Sequence, residues 1–201
     1  MRKAQVESAV WKKLVDAARE LMLSKGYTAT SVDDICTAAG VTKGSFFHYF
    51  TDKEHLGRVA AERFYADRVA LFEKAPLQDK TDPLDRVLGF IDFLIQVARS
   101  PHGVKGCLLG NFVQELAKTH PKIRDVCAAC LDDQANRFQQ ALDEAKAKYA
   151  PHAKWSTESV ASHLIAVLQG GIILAKARQD RGAVAENLGH FREYIRHLLG
   201  Q

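Results

Sequence analysis

The chain has 201 residues, 47% of them hydrophobic and 26% charged, which is typical of a folded globular protein and excludes a disordered one. The formal net charge is +4, and residues 1–74 carry 12 Lys and Arg against 10 Asp and Glu, so contact with a polyanion requires a local patch rather than a basic tail. A charged amphipathic N-terminus, no apolar run near the roughly 20 residues of a membrane span and four cysteines predict a cytoplasmic protein with free thiols and no membrane partner.

Apolar residues recur every three or four positions along the chain, and this spacing predicts an all-α fold. The five prolines fall at junctions between helical patterns, where they interrupt nothing. The break before Pro83 predicts a boundary between an N-terminal domain, 1–74, and a C-terminal domain, 83–201. The predicted helices span 5–25, 31–38, 42–49, 52–74, 83–99, 107–119, 121–149, 156–180 and 183–199.

Residues 31–50, SVDDICTAAGVTKGSFFHYF, predict two short helices with a tight turn between them. Ser31 and Thr42 are typical N-cap residues, and Gly26 is a typical residue just past the end of the first helix. Gly40 tolerates the left-handed backbone that the turn requires. Two helices joined in this way form a helix–turn–helix, with 31–50 as the motif.

The second helix of this motif has two chemically different faces. Phe46 and Phe50 lie four residues apart and predict a buried face, packed on Ile35, Ala38 and the first helix. The opposite face carries Lys43, Gly44, Phe47 and His48. In a major groove, Thr42, Lys43 and Ser45 would meet base edges and phosphates, and Lys53 would bind a phosphate.

The motif residues closely resemble the TetR/AcrR family of bacterial repressors over about residues 8–68, with GYTATSVDDI at 26–35, AGVTKGS at 39–45 and FTDKEHL at 50–56. The resemblance implies an Ω-shaped all-α homodimer, with a three-helix DNA-binding domain and a larger domain for inducer binding and dimerisation. The DNA-facing positions are then Ser31, Thr42, Lys43, Gly44, Ser45, Phe47, His48, Tyr49 and Lys53.

The chain departs from the family pattern at Phe46-Phe47, where Leu-Tyr is usual. Phe47 has no hydroxyl to donate to a phosphate, so its contact is either apolar, to a thymine methyl or a sugar, or absent. Tyr49 is equally compatible with a core aromatic whose hydroxyl lies at the surface. Cys36 stands where a small Ala is common and is predicted to pack inside its helix.

The last two helices carry wide apolar stripes and several small residues, which favour close helix–helix packing. A four-helix dimer interface is the preferred interpretation, and packing within the chain is the alternative. A dimer would hold two reading helices about 34–36 Å apart, as a palindromic operator requires. The predicted interface residues are Leu164, Leu168, Gly171, Ala175, Phe191 and Ile195.

The middle helices, 83–99, 107–119 and 121–149, are expected to surround a cavity for a small-molecule or electrophile inducer. Most apolar residues there are core residues by default. The candidate ligand contacts are Phe90, Phe93, Leu94, Cys107, Leu108, Asn111, Phe112, Gln114, His163 and Gln169.

Cys107 is a candidate reactive thiol because it enters a predicted helix two residues after Lys105. The run GCLLGN at 106–111 resembles an electrophile-responsive subgroup of the same family. The alternative is a small buried hydrophobe, the usual role of a free cysteine. Cys127 and Cys130 lie three apart on a helix, and ordinary packing is preferred over a redox pair or a metal, because a structural zinc site needs four ligands.

No phosphate-binding glycine loop, zinc-protease motif or nucleophile elbow is present, so an enzyme and a cofactor are not expected. The prediction is therefore a ligand-responsive repressor that binds a palindromic operator in double-stranded DNA as a homodimer. The alternatives are a helical ligand-binding or interaction protein whose helix–turn–helix is only structural, and an architectural DNA-binding protein without an inducer.

Overall fold

The computed structural model describes residues 8–75, 80–100, 106–180 and 182–201. Over these residues the chain forms nine α-helices and no β-strand, which confirms the all-α prediction. The helices are α1 (Ala9–Lys25), α2 (Val32–Ala39), α3 (Lys43–Tyr49), α4 (Lys53–Glu73), α5 (Pro83–Arg99), α6 (Leu108–Leu116), α7 (Pro121–Tyr149), α8 (Thr157–Arg178) and α9 (Gly182–Leu198). Two predicted bounds are wrong: α1 begins at Ala9, because Ser8 has an extended backbone and caps it, and α6 ends at Leu116 rather than at 119. Residues 5–7 of the first predicted helix lie outside the described residues.

Side-chain caps explain where the helices begin. Ser31 and Thr42 have extended backbones, and each accepts a hydrogen bond from an amide three residues ahead, at 3.0 and 3.1 Å. Asp82 caps α5 and precedes Pro83, whose missing amide costs nothing at the first helical position. The predicted caps at Ser31 and Thr42 are therefore confirmed.

The described residues form two compact units, and the first contains those of 1–68 and 108–130. It contains α1 to α3, most of α4, α6 and the beginning of α7. This grouping differs from the predicted division along the chain, because α6 follows the predicted boundary and yet contacts α1. The largest fully buried side chains of this unit include Leu14, Met22, Ile35, Phe46, Phe50, Leu56, Phe112 and Leu116.

The second unit contains the described residues of 69–107 and 131–201. Helix α9 packs on both α5 and α8. The rings of Phe90, Phe138 and Phe191 follow one another through the core, with centroid separations of 5.2 and 6.0 Å. On the surface, Arg192 of α9 donates to Asp92 of α5 at 2.8 Å. Phe138 of α7 therefore joins α5 and α9 in the core, and the ion pair links the same two helices at the surface.

The expectation that no apolar run approaches the length of a membrane span is wrong for helix α8. Among the described residues it is the one helix long and apolar enough to cross a bilayer, because no Asp, Glu, Lys or Arg lies between Glu158 and Lys176. Within its most apolar stretch, 28% is buried inside the chain. The same composition is typical of a helix that packs against other helices, so it does not by itself indicate a membrane protein.

Candidate nucleic-acid interface

The start of α2 is held by a reciprocal pair of hydrogen bonds. The Asp34 amide donates to Ser31 Oγ at 3.0 Å, and the Ser31 amide donates to Asp34 Oδ2 at 2.9 Å. Lys25 Nζ donates to the same carboxylate oxygen at 2.8 Å. Hydrogen bonds from Lys25 and from the amide and hydroxyl of Ser31 hold the pKa of Asp34 well below its usual range. The carboxylate is therefore charged at neutral pH and ties the end of α1 to the start of α2.

The turn between α2 and α3 depends on Gly40, whose backbone is left-handed at φ +64°. The next amide, that of Val41, donates to the carbonyl of Cys36 at 3.0 Å and closes the end of α2. A side chain at residue 40 would strain this backbone. The predicted helix–turn–helix geometry is thus present, and the turn sets the direction of α3.

Helix α3 places its two faces as its sequence predicts. Phe46 and Phe50 are fully or almost fully buried, and the Phe50 ring contacts Trp11 of α1 at a centroid distance of 6.4 Å. The packing on α2 differs in one detail, because Ala39 is buried and the predicted Ala38 is exposed. We call the residues on the opposite side the reading face of α3, and all four are exposed: Lys43, Gly44, Phe47 and His48.

Lys43 is paired with Asp33 of α2, with Nζ 2.7 Å from Oδ1. The hydrogen bond to Asp33 raises the pKa of Lys43 above its usual value. Both side chains are more than 60% exposed, at 62% and 64%. Exposed pairs of this kind contribute little to stability, so Lys43 can exchange Asp33 for a phosphate at small cost.

Gly44 and Phe47 give the reading face its shape. The nearest atom to a Cβ added at Gly44 is Thr42 Oγ1, at 3.7 Å, which is ordinary van der Waals contact. No contact within the described chain therefore explains a glycine here, in the first turn of α3, although alanine favours a helix more than glycine does. Phe47 is 57% exposed and rests edge-on against Phe46, with ring centroids 5.1 Å apart.

Tyr49 and Lys53, both predicted to face DNA, contact residues that are distant in the sequence. Tyr49 Oη accepts a hydrogen bond from Ser8 Oγ at 2.7 Å, at the start of α1. Lys53 Nζ donates to the carbonyls of Tyr27 and Thr30 at 3.1 and 2.9 Å. Burial lowers the pKa of Lys53, and the nearby Glu115 opposes that shift. Sequence spacing gave no signal for these carbonyl contacts.

The predicted ligand contacts fall in both compact units. Leu108, Asn111, Phe112 and Gln114 belong to the first, where the Phe112 ring packs edge-on against Tyr27, with centroids 5.8 Å apart. The second unit contains Phe90, Phe93, Leu94, Cys107, His163 and Gln169.

Within the second unit, two of these side chains have distinctive surroundings. His163 is exposed and contacts the rings of Phe191 and Tyr194, each at 5.4 Å. Gln169 Nε2 is buried and makes no hydrogen bond with any described residue. A buried donor without an acceptor is costly, so Gln169 is the predicted contact that most needs a partner.

Cys107 lies directly before α6 and is 8% exposed, while Lys105 falls outside the described residues. Burial agrees with the alternative of a packed cysteine and limits access to reagents. Cys127 is buried and Cys130 is half-buried. Across the described ranges, no three His, Cys, Asp or Glu side chains gather as a metal site would require.

Most of the predicted interface residues are used inside the chain. Leu164, Phe191 and Ile195 are almost fully buried in the core of the second unit. A Cβ added at Gly171 would lie 3.2 Å from the Cα of Val184, so this glycine allows α8 and α9 to approach each other closely. Leu168 and Ala175 are half-buried.

A second row of α8 residues, which sequence reasoning missed, is open to solvent. Ser162, Ala166, Ile173 and Ala177 are exposed, and Gly170 between them is half-exposed. Steps of three and four residues put them on one side of the helix. We call these five residues the open face of α8. A helical wheel of α8 shows them once the residues that face α9 are set aside.

Two family models match the chain. Residues 14–58 match the model for bacterial regulatory proteins of the tetR family, and residues 83–191 match a tetracyclin repressor-like C-terminal domain. The second span covers more than half of the chain and includes α6.

Two curated transcriptional regulators of similar length illustrate the similarity of this chain to known proteins. The transcriptional regulator AcuR of Cereibacter sphaeroides is 31% identical over 87% of this chain and 80% of its own length. The HTH-type transcriptional repressor DhaR of Mycobacterium sp. (strain GP1) is 27% identical over 84% of this chain and 83% of its own length.

Solved structures agree with these matches. The regulatory protein TetR from Rhodobacter sphaeroides superimposes with a TM-score of 0.76 at 29% identity, covering 94% of this chain and 97% of that one. The reduced form of NemR from Escherichia coli has a TM-score of 0.79 at 22% identity, covers 92% of this chain and 96% of that one, and shows the fold alone.

Proposed function

Because this chain belongs to the tetR family of bacterial regulatory proteins, we propose that it is a transcriptional repressor that binds a palindromic operator as a homodimer. A small-molecule or electrophile inducer then releases it from DNA. The observation that carries the proposal is the reading face of α3, an exposed row of Lys43, Gly44, Phe47 and His48 on a helix anchored by buried Phe46 and Phe50.

In this function α3 lies in the major groove, which admits a helix and displays a distinct pattern of donors and acceptors for each base pair. Lys43 leaves Asp33 and binds a phosphate or a guanine edge. Gly44 lets the backbone approach the duplex. Thr42 and Ser45 share a contact of 3.1 Å between their hydroxyls and supply further donors at the same end of the helix.

Phe47 gives the reading face one apolar contact. A phenyl ring that is 57% exposed in the free protein gains free energy when a thymine methyl group or a sugar covers it. Tyr49 contributes less directly, because its hydroxyl already accepts from Ser8. Its own proton remains available for a phosphate oxygen.

The open face of α8 supports the homodimer. Its residues are small or apolar, and Ile173 is 49% exposed. No described atom lies within 4 Å of a Cβ placed on Gly170, so a partner helix has room to come close. A second copy of the same face meets these requirements, since a two-fold interface pairs one surface with itself.

The inducer would bind in the second unit, and Gln169 offers its unsatisfied Nε2 as a donor to an acceptor on the ligand. Release follows when the ligand binds more tightly to a conformation that does not fit the operator. The alternative, a helical ligand-binding protein with a purely structural helix–turn–helix, requires no partner for the reading face of α3 and leaves Gly44 without a reason.

Footprinting on the DNA upstream of the protein's own gene tests the proposal. The expected result is a protected palindrome, with operator affinity falling about tenfold in Lys43→Ala and the salt slope decreasing by about 1. Lys154→Ala is the matched control, because Lys154 is an exposed lysine of the second unit.

Equal effects of the two substitutions, or weak binding without sequence preference, would favour the structural alternative. A footprint that no small molecule or thiol reagent removes would favour an architectural DNA-binding protein instead.

A further inference from the structure

The turn between α1 and α2 is bound by a carboxylate from a distant part of the chain. Glu115, on α6, accepts from the amide of Tyr27 through Oε2 at 2.9 Å and from the amide of Thr28 through Oε1 at 2.7 Å. All of these residues belong to the first compact unit. One side chain therefore satisfies two consecutive amides that α1 and α2 leave unpaired.

The carbonyl groups of the same turn are bound from another helix. Lys53 of α4 donates to the carbonyls of Tyr27 and Thr30, and its ammonium lies 4.3 Å from the centroid of the Tyr27 ring. Thr30 is fully buried, and its hydroxyl donates to the carbonyl of Gly26 at 2.7 Å. Glu115 and Lys53 thus hold the donors and the acceptors of one short segment.

Gly26 is shaped to receive this carboxylate. Its φ of +88° is a conformation that other residues rarely adopt. A Cβ at this position would lie 3.1 Å from Glu115 Oε2. Any side chain at residue 26 would therefore press on Glu115, and the glycine allows the carboxylate to reach the two amides.

Ring contacts support the same arrangement. The Tyr27 ring packs edge-on against Phe112 and His120, with centroids 5.8 and 5.0 Å away. Burial and the nearby charge of Glu54 raise the pKa of Tyr27 to about 12. For Glu115, burial raises the pKa while hydrogen bonds from Thr28 and Tyr27 lower it, and the net pKa is below the usual value. At neutral pH the turn therefore faces a charged carboxylate.

We propose that Glu115 is a positioning residue for DNA recognition: it fixes the turn at Tyr27 and Thr28 so that α2 and α3 present the reading face in the geometry that the operator requires. The turn leads directly into the Ser31 cap of α2, and Gly40 connects α2 to α3. A displacement of the turn would therefore move α2 and, through the turn at Gly40, the reading face of α3. This inference rests on the proposed function, since it concerns the same DNA site.

The sign of the mutational effect separates positioning from simple electrostatics. Removing a negative charge from a DNA-binding unit reduces repulsion of phosphates and should raise affinity slightly. Loss of positioning should lower it. Glu115→Gln keeps the size of the side chain but offers one acceptor oxygen instead of two. We expect its operator affinity to fall on the order of tenfold.

Glu62→Gln is the matched control, because Glu62 is an exposed carboxylate on α4 in the same unit and its substitution changes the charge equally. Affinity for the operator and for unrelated DNA should be measured side by side for both variants. A positioning defect lowers operator affinity and leaves non-specific affinity almost unchanged, whereas partial unfolding lowers both in proportion. Equal operator affinity in the wild type and Glu115→Gln would overturn the inference.

Hydrogen exchange of the Tyr27 and Thr28 amides provides a second measurement, which also works if the variant is unstable. In the wild-type protein both amides should be protected at neutral pH and lose protection together as Glu115 is protonated. Rapid exchange of both at neutral pH would contradict the contact. A wild-type protein that binds no operator would refute the proposed function and this inference with it, while unchanged operator binding by Glu115→Gln refutes only the inference.

Discussion

Helices α3 and α8 each leave one row of residues exposed, and the two rows differ in chemistry. The reading face of α3 combines an ammonium, an imidazole, a phenyl ring and a glycine, whereas the open face of α8 contains only small and apolar residues with one hydroxyl. DNA, a polyanion with grooves, binds a surface that offers a cation, hydrogen-bonding groups and an aromatic ring. An apolar helix packs instead against a surface of small and apolar residues. The exposed composition, rather than the helix itself, indicates which partner each face takes.

The largest expected effect is on α8. Ile173→Lys places two charges in the proposed two-fold interface and removes two apolar contacts, which should weaken dimerisation by about 3 kcal/mol, or roughly 100-fold. Operator affinity should fall with it, because one reading helix alone meets half of the palindrome. Sedimentation equilibrium measures the dimer directly.

Leu71→Lys is the control for this change, because Leu71 is a comparably exposed hydrophobic residue, at 48% against 49% for Ile173, and lies on α4. A dimer of unchanged strength in Ile173→Lys would mean that the open face of α8 has a different partner.

An intermediate effect is expected at Gly44, where stability and binding should change in opposite directions. Gly44→Ala should raise the free energy of unfolding by less than the roughly 1 kcal/mol typical of a helix interior, since Gly44 lies in the first turn of α3 and no described atom obstructs the methyl group. Operator affinity should fall about tenfold, because the methyl group keeps the duplex from the backbone. Denaturant unfolding and DNA titration give the two values.

Gly189→Ala on α9 is the matched control, since a Cβ there also has nothing within 4 Å. It should gain at least as much stability, because Gly189 lies in the interior of its helix, and it should bind the operator normally. A Gly44→Ala variant with undiminished affinity would show that α3 does not approach DNA at this residue.

The smallest expected effect is at Phe47, the one large apolar residue on the reading face of α3. Phe47→Ala should change stability by less than about 0.5 kcal/mol, because the ring is mostly exposed. Operator affinity should fall roughly threefold to tenfold. Replacing operator thymines by deoxyuridine removes the thymine methyl groups and leaves the sugars unchanged. Binding of the wild-type protein to this DNA therefore distinguishes a contact to a methyl group from a contact to a sugar.

If deoxyuridine weakens the wild-type protein and not Phe47→Ala, the ring contacts a thymine methyl group. If Phe47→Ala weakens binding equally on both DNAs, it contacts a sugar. An unchanged affinity of Phe47→Ala would show that the reading face of α3 uses polar contacts alone.

Much of the fold could be predicted because its signals are local. The caps at Ser31 and Thr42, and the buried pair Phe46 and Phe50, depend on residues three or four positions apart. Errors of one residue occurred where two small neighbours compete, as at Ala38 and Ala39. Either alanine fits a helix, and only the packing of α2 within the first unit decides which one is buried.

The candidate sites were less predictable, because the same residue type serves different partners. Gly171 was assigned to the dimer interface, and the structure uses it for close packing on α9. Lys53 was assigned to phosphate, and its ammonium binds two carbonyl groups of the chain. A sequence shows that a residue is small or positively charged, but it does not show which group that residue will contact in the folded protein.

By itself the sequence determined which segments are helical, where the helices capped by Ser31 and Thr42 begin and which side of α3 is apolar, because caps and helical spacing act within one turn of the chain. Only the tertiary structure decided what holds the turn before α2. The contacts from Lys53 to Tyr27 and from Glu115 to Tyr27 join residues 26 and 88 positions apart. No local pattern encodes such contacts, since they exist only after α4 and α6 have packed against the N-terminal helices.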